Sequence, residues 1–501
     1  MLDVLIGIDV GTTSTKAVIF DIFGKELARA NSQPYHNYTP NPGWVEQDPE
    51  ELWQALLSTI RSVIQAVPGK INVLALSMAV QSGSLIPADQ KGQPVYPLIT
   101  WLDGRAEEIV NDWKMQGQQL WVKPLSGWSI YPSLCLPTIA WLQKYRPEIA
   151  DKTKVYFSVN DFLAFRLTGK LITNPSNAGG MQLVEIQTAQ WSQELCDLAG
   201  IQKENLCEIF PSGVIIGQVL PEICDSTGIT PGAVLVNGGH DQGCTALGLG
   251  IINPGKMLLA CGTAWVFTGV LFSAEMQKLP PSLDLNFHAV PNRWTLSQSL
   301  GGLGASFEWW FEKSYLCKSD SVSRADLFST LNFEMDQTSF IPNLFFMPMT
   351  GGHGDPATTR SGGFVGLQLG HSRADMARAV MESAAYELRW ALEPVLDAKI
   401  PIEKLWMVGG ATQSTLWPSI LADVLGIPIC LPDYDNWPAL GAAILAGIGT
   451  GVFSDVEKGL EKFSKSEKVV LPDPYHKSQY ELGFGEYQKL SKSYYQISEE
   501  S

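Results

Sequence analysis

The chain contains no apolar run of membrane length, no closely spaced cysteine pair and no surplus of basic residues, and each absence removes a class of function. A bilayer crossing needs about 18 to 20 consecutive apolar residues, and none is present. The amino terminus also lacks a basic region followed by an apolar one, so no secretory leader is expected and the cytoplasm is the expected location. The eight cysteines, at 135, 196, 207, 224, 244, 261, 317 and 430, are scattered with no C-x-x-C pair. That pattern reads as reduced thiols. The six histidines show no metal-ligand spacing. Acidic residues outnumber basic ones by 51 to 35, a net charge of −16, which argues against nucleic acid or an anionic membrane as a partner. Low-complexity tracts and long linkers are also missing.

What remains is a chain of 501 residues, 45% hydrophobic and 17% charged, the balance of a compact globular enzyme. Its length implies two or three domains. The most informative stretch is the opening one. Two apolar strand-like runs, 4–10 and 16–21, flank Gly11-Thr12-Thr13-Ser14-Thr15, a turn of one glycine and four hydroxyl residues. Backbone N–H groups and hydroxyls of such a turn converge on an anion such as a phosphate, and Lys16 adds a positive charge. Asp9, near the end of the first run, is poorly placed for packing and well placed to hold a hydrated magnesium ion. A satisfied strand-end carboxylate is the alternative.

The first quarter reads as α/β. A helix is expected over 49–66, with Asp48 as N-cap, Pro49 at N1, acidic residues in the first turn, and Leu52, Leu56, Ile60 and Val63 on its apolar face. A strand is expected at 71–78 and a helical region at about 130–205, with Trp141-Leu142 and 162–165 facing the core and covering one side of a substrate site. Near residue 232 the pattern begins again, with a strand at 233–236 and a small-residue helix at 243–250. Then Lys256 to Ala264 forms another strand running into a Gly-Thr turn. Two halves of similar topology, 1–247 and 248–501, are therefore expected, each offering a phosphate loop and packed around a cleft. Further expectations are a helix near 372–396, a strand near 404–408, a helix near 438–450 and a polar helical tail.

The residues resemble a known family, the FGGY carbohydrate kinases, nearly end to end. Asp9-Val10-Gly11-Thr12-Thr13-Ser14 is similar to its first phosphate motif and Cys261-Gly262-Thr263-Ala264 to its second. Trp101-Leu102-Asp103-Gly104-Arg105 resembles the W-x-D-x-R segment, Gly239-His240-Asp241-Gln242 the catalytic segment, and Gly409-Gly410-Ala411 the adenosine motif. Gly363 to Leu367, His371 and Arg378 to Glu382 resemble the carboxyl-terminal signature. The resemblance implies two actin-like, ribonuclease-H-like ATPase domains around a central cleft, with ATP and Mg2+ as cofactors and transfer of the γ-phosphoryl group to a small sugar. The partners would be the sugar and ATP, with no nucleic acid and no membrane; a homodimer is the protein assembly left open.

Asp241 is the expected general base, since phosphoryl transfer to a hydroxyl needs a carboxylate to take its proton; a helix N-cap is its other reading. His240 is expected to point elsewhere, as neighbours in sequence usually do. Thr12, Thr13, Lys16, Gly262 and Thr263 are expected at the β- and γ-phosphates. Gly409, Gly410, Ala411 and Ser414 are assigned to the adenosine, with Gly304, among the glycines before Phe307, on the opposite wall. Gln81, Ser82, Trp101, Asp103 and Gln242 are the substrate candidates beside Asp241, hydroxyl-binding groups with one aromatic face. Asp103 and Arg105 form a structural ion pair in the alternative reading.

The departures concern the sugar. Glycerol kinases carry N-Q-R-E where this chain reads Ala79-Val80-Gln81-Ser82, which makes glycerol a poor candidate. Xylulose kinases read G-Q-M-H-G there. Thr138 stands where Lys is common, and Gly352-His353-Gly354-Asp355 replaces a G-E-R segment. Xylulose is the leading expectation; ribulose, another pentulose, a polyol or gluconate are the alternatives. A nucleotide-switched binding protein of the actin or chaperone kind, or a kinase relic acting as a regulator, would share the fold and both phosphate turns.

Overall fold

The computed structural model describes residues 1–315, 323–353, 361–463 and 465–499; Cys317, Gly354 and Asp355 lie outside them. Two twisted sheets organise the chain, and they share one topology. Numbered in chain order, the five principal strands of the first sheet are Leu2–Val10, Thr15–Asp21, Glu26–Asn31, Ile71–Val80 and Val234–His240, lying in the order 3-2-1-4-5 with Ile215–Gln218 at the far edge. In the second sheet Gly255–Cys261, Trp265–Leu271, Trp294–Ser299, Ile402–Val408 and Ile429–Pro432 repeat the order 3-2-1-4-5. In both, the second strand runs antiparallel to the first and third, while the first, fourth and fifth are parallel.

The expected internal repeat is present, but its second copy starts at Gly255 instead of near 232, because Val234–His240 closes the first sheet. Parallel strands must be covered on both faces, which is why they read as continuous apolar runs. Val4, Ile6 and Ile8 pack with Leu52, Leu56, Ile60 and Val63 of the helix Pro49–Ala66, whose N-cap Asp48 accepts from the Glu50 amide at 2.9 Å. Leu5, on the opposite face, packs with Leu440, Ala443 and Ile444 of the helix Trp437–Gly449.

That helix belongs to the second half of the sequence yet lies on the first sheet, and residues 437–463 as a whole return to the first lobe, with Phe463 edge-on to Phe20 at 4.9 Å. The backbone contact is close enough to require glycine. A Cβ on Gly7 would sit 1.8 Å from the Ala439 carbonyl oxygen, and one on Gly441 would sit 2.0 Å from that of Cys244. The helices Asp241–Gly248 and Trp437–Gly449 thus cross between the lobes.

The region 130–205 carries five α-helices, but Val155–Ser158 forms a strand of a small four-stranded sheet. On the far side of the cleft the lobes are joined again: Asp284 accepts from the Ser129 amide and hydroxyl and from the Tyr131 hydroxyl, and the Leu285 amide donates to the Gly127 carbonyl at 2.7 Å. The seven described cysteines are free and buried. No helix among the described residues is long and apolar enough to cross a membrane.

Candidate active site

Three adjacent strands of the first sheet end together. Val10 and His240 both lie beside Val80 in register, so Asp9, the turn after Val10, Gln81 and Asp241 emerge at one sheet edge. The first and fifth strands are two spacings apart, about 10 Å. Asp9 pairs in register with Lys16 across the hairpin, and its carboxylate lies 3.9 Å from the Lys16 ammonium. Asp9 is 8% exposed. Burial, and secondarily the charge of Asp241, push its pKa up from the usual 3.8 to about 7 against the pull of Lys16.

Asp241 opens the helix Asp241–Gly248, so it occupies the first helical position and His240 the N-cap. Its side chain is 32% exposed and its Oδ1 accepts from the Gln242 amide at 2.7 Å. Contrary to expectation, His240 points toward it: Nε2 lies 3.0 Å from the same Oδ1. The alternation of side chains along a strand ends where strand turns into helix, and the pair straddles that junction. Ser176 holds the junction by accepting from the His240 amide at 2.9 Å, and Asn177 donates to the Val80 carbonyl at 3.3 Å. Neither had a sequence signal beyond lying in the helical cover.

Gln81 is 2% exposed; its Oε1 accepts weakly from Ser84 at 3.4 Å and its Nε2 has no partner among the described residues. Ser82 faces the Asn177 carbonyl at 3.5 Å, and Gln242 is half-buried beside Asp241. Trp101, 41% exposed, donates from Nε1 to the Thr12 hydroxyl at 2.7 Å. This bond ties the aromatic wall to the phosphate turn. Thr13 and Lys16 are exposed and half-buried along the same hairpin.

Asp103 does not face this edge. Its Oδ1 accepts from the Arg105 amide and Nε, both at 2.8 Å, and its Oδ2 from the Val45 amide at 2.5 Å and Arg105 Nη2 at 2.7 Å. Arg105 also donates to Glu46 at 2.8 Å and lies 4.0 Å over the Trp44 ring. Of the two roles left open for Asp103, the structural ion pair is the one formed, and it consumes both carboxylate oxygens.

In the second lobe Cys261, Gly262, Thr263, Gly304, Gly410 and Ala411 line one cavity of about 840 Å³. The Gly262-Thr263 turn is exposed, and the helix Leu303–Ser314 starts against it: a Cβ on Gly304 would sit 2.0 Å from the Gly262 carbonyl oxygen. Gly409 bends the chain beside Cys261 with φ of 101°. Ser414 does not reach the cavity. It is 3% exposed, and its hydroxyl accepts from the Leu416 and Trp417 amides at 3.3 and 3.2 Å, at the start of the helix Trp417–Leu425. A motif locates a residue; the local hydrogen bonds of a serine before a helix decide where its hydroxyl points. The cavity walls missed in the sequence are Trp265, Glu308, Gln413 and Trp417, and the helix Arg324–Met335.

Comparison with known proteins matches residues 4–248 to the amino-terminal domain of the FGGY family of carbohydrate kinases and residues 257–450 to its carboxyl-terminal domain. The chain belongs to this family. It is an ATP-dependent sugar kinase with two actin-like lobes. It is 27% identical over 511 residues to a xylulose kinase of Staphylococcus epidermidis, covering 99% of this chain and 98% of that one. It is also 27% identical over 505 residues to an autoinducer-2 kinase of Yersinia enterocolitica, covering 96% and 92%. A gluconate kinase structure from Lactobacillus acidophilus superimposes with a TM-score of 0.89 at 26% identity, covering 99% of this chain and 100% of that one. The three relatives act on different compounds, so family membership leaves the sugar open.

Proposed function

We propose that this kinase phosphorylates a primary hydroxyl of a small ketose, with a ketopentose such as xylulose as the leading substrate. The observation that carries the reading is Asp241: a half-exposed carboxylate at the meeting point of three strand ends, oriented through Oδ1 by His240 and the Gln242 amide. Its other oxygen takes the proton of the attacking hydroxyl as that hydroxyl's oxygen bonds to the γ-phosphorus and the bond to the bridging oxygen of ADP breaks. Gln81, Ser82, Gln242 and Trp101 suit a neutral polyhydroxy compound, offering amides, a hydroxyl and an indole. The near relation to a xylulose kinase supports the ketopentose; gluconate, favoured by the gluconate kinase structure, is the second reading.

The residues at the first sheet edge fit a divalent cation. Asp9 is buried close enough to Asp241 for the two charges to raise its pKa, and Lys16 at 3.9 Å compensates only in part. Mg2+ held by Asp9 through water would neutralise the triphosphate charge. Thr12, Thr13 and Lys16 from one lobe and Gly262 and Thr263 from the other are assigned to the β- and γ-phosphates, and Gly304, Gly409, Gly410 and Ala411 to the adenosine. The lobes, 1–247 and 248–501 apart from the return of 437–463, close on substrate and exclude water. Cytoplasmic location and a homodimer complete the reading, the latter open to light scattering.

Purified protein with Mg-ATP and a panel of ketoses, polyols and aldonic acids tests it. ADP release strictly dependent on one ketopentose is expected. Release insensitive to every sugar would overturn the proposal and favour a nucleotide-switched binding protein.

A further inference from the structure

With Ser414 turned into its helix, recognition of the nucleotide base falls to other residues of the second-lobe cavity. Its floor is aromatic: the Phe307 and Trp417 ring centroids lie 5.0 Å apart, and those of Trp265 and Trp417 lie 5.2 Å apart. An apolar lining of this kind suits a planar heterocycle. The polar side chains on the walls differ in what they leave free. Glu308 has both carboxylate oxygens on the Arg324 guanidinium. Asn332, on the helix Arg324–Met335, donates from Nδ2 to the Gln413 carbonyl at 3.3 Å. That bond fixes which way the amide faces. Its Oδ1 has no solvent-accessible surface and accepts no hydrogen bond among the described residues, so a donor in the cavity reaches it once the side chains lining the cavity beside it give way. A buried acceptor without a donor is an unfavourable state that a bound ligand can relieve.

We propose that Asn332 Oδ1 accepts from the exocyclic amine of a 6-aminopurine and so selects ATP over nucleotides with a 6-oxo base. An amide oxygen held in this orientation offers a lone pair. Adenine meets it with an N–H; hypoxanthine or guanine meets it with a carbonyl oxygen, placing two acceptors face to face. The aromatic floor supplies affinity that any purine shares, and Asn332 supplies the discrimination. The inference rests on the assignment of this cavity to the nucleotide, so its test reads binding, not turnover.

The full-length protein is titrated calorimetrically with ADP and with IDP, which differ at the purine 6-position. The wild-type protein should bind ADP about tenfold more tightly, the scale of one hydrogen bond gained against one acceptor pair opposed. Asn332→Ala should weaken ADP several-fold, leave IDP nearly unchanged and bring the ratio close to one. Asn332→Asp retains an acceptor and should retain the preference for ADP. An unchanged ADP-to-IDP ratio in a folded Asn332→Ala protein, or no preference in the wild type, overturns the role of Asn332. Absence of binding by both nucleotides overturns the assignment of the cavity itself.

Discussion

Replacing Asp9 by Asn should make the metal-free protein more stable while making it inactive, and the size of the gain follows from the burial of one carboxylate. The folded state holds the Asp9 proton with a pKa of about 7 against the usual 3.8. A carboxyl group whose pKa is raised by folding stabilises the folded state when protonated. That contribution is fully present below 3.8 and is lost as pH rises through 7. At pH 8 the ionised side chain therefore costs up to about 4 kcal/mol, and between pH 8 and pH 5 about 3 kcal/mol of this is recovered. An amide of the same shape carries no such penalty. Asp9→Asn should raise the melting temperature of the first lobe at pH 8 by up to about 8–16 °C, since about 1 kcal/mol moves a domain of this size by about 2–4 °C. The gain should shrink toward pH 5 and vanish near pH 3.

The wild-type profile alone is not enough. His288 is buried, with its pKa pushed down to about 4 by burial, and it works in the opposite sense: its stabilisation is present above the usual 6.5 and falls away as pH drops toward 4. Only the difference between Asp9→Asn and wild type isolates the carboxylate. Differential scanning calorimetry in metal-free buffer at several pH values measures it. A variant no more stable than wild type at pH 8, or a gain that does not change with pH, would refute the electrostatic account.

Asp241→Asn should reduce sugar-dependent turnover by about 10²–10⁴-fold while the variant still unfolds as a folded protein in calorimetry, since the side chain is part-exposed at the start of its helix. Thr12→Val removes the acceptor of the Trp101 indole and a hydroxyl assigned to the phosphates; the sugar KM and the ATP KM should both rise about 2–10-fold, and Thr12→Ser should restore the wild-type values in steady-state assays. Asp103→Asn should destabilise the first lobe by about 3 kcal/mol, since the Arg105 side chain is wholly buried and loses a charged partner. The sugar KM of the folded protein should stay near wild type, which separates an ion pair from a substrate contact. Gly441→Ala, whose Cβ would press on the Cys244 carbonyl oxygen at 2.0 Å, should cost about 1–3 kcal/mol and lower the yield of soluble protein.

What was legible in the sequence is what short-range chemistry dictates. The opening hairpin, the helix after Asp48 and the two Gly-Thr turns each announce themselves within a few residues, through caps, apolar alternation and turn composition. The features that escaped depend on distant partners. Asn332 meets Gln413 across 81 positions and Arg105 meets Glu46 across 59; neither spacing leaves a periodic trace. The orientations of Ser414 and His240 differ from the sequence expectation for a related reason. Both sit where one kind of backbone gives way to another, and there the rule for side-chain direction is set by the junction, not by either element.

The repeated topology makes the division of labour between lobes readable. Superposing the two Gly-Thr turns places Ala260 where the first lobe has Asp9, and Val266 where it has Lys16, because each pair faces across its own hairpin. The second lobe thus keeps the backbone turn that suits a phosphate and lacks the charged pair beside it. What it adds instead is the aromatic cavity next to that turn. The same fold used twice therefore yields one edge that carries a charged pair and a part-exposed carboxylate and one that carries an aromatic-lined cavity. Since the helices Asp241–Gly248 and Trp437–Gly449 cross through glycine contacts between the lobes, the acid at the start of the first helix is carried on an element packed where the two lobes meet.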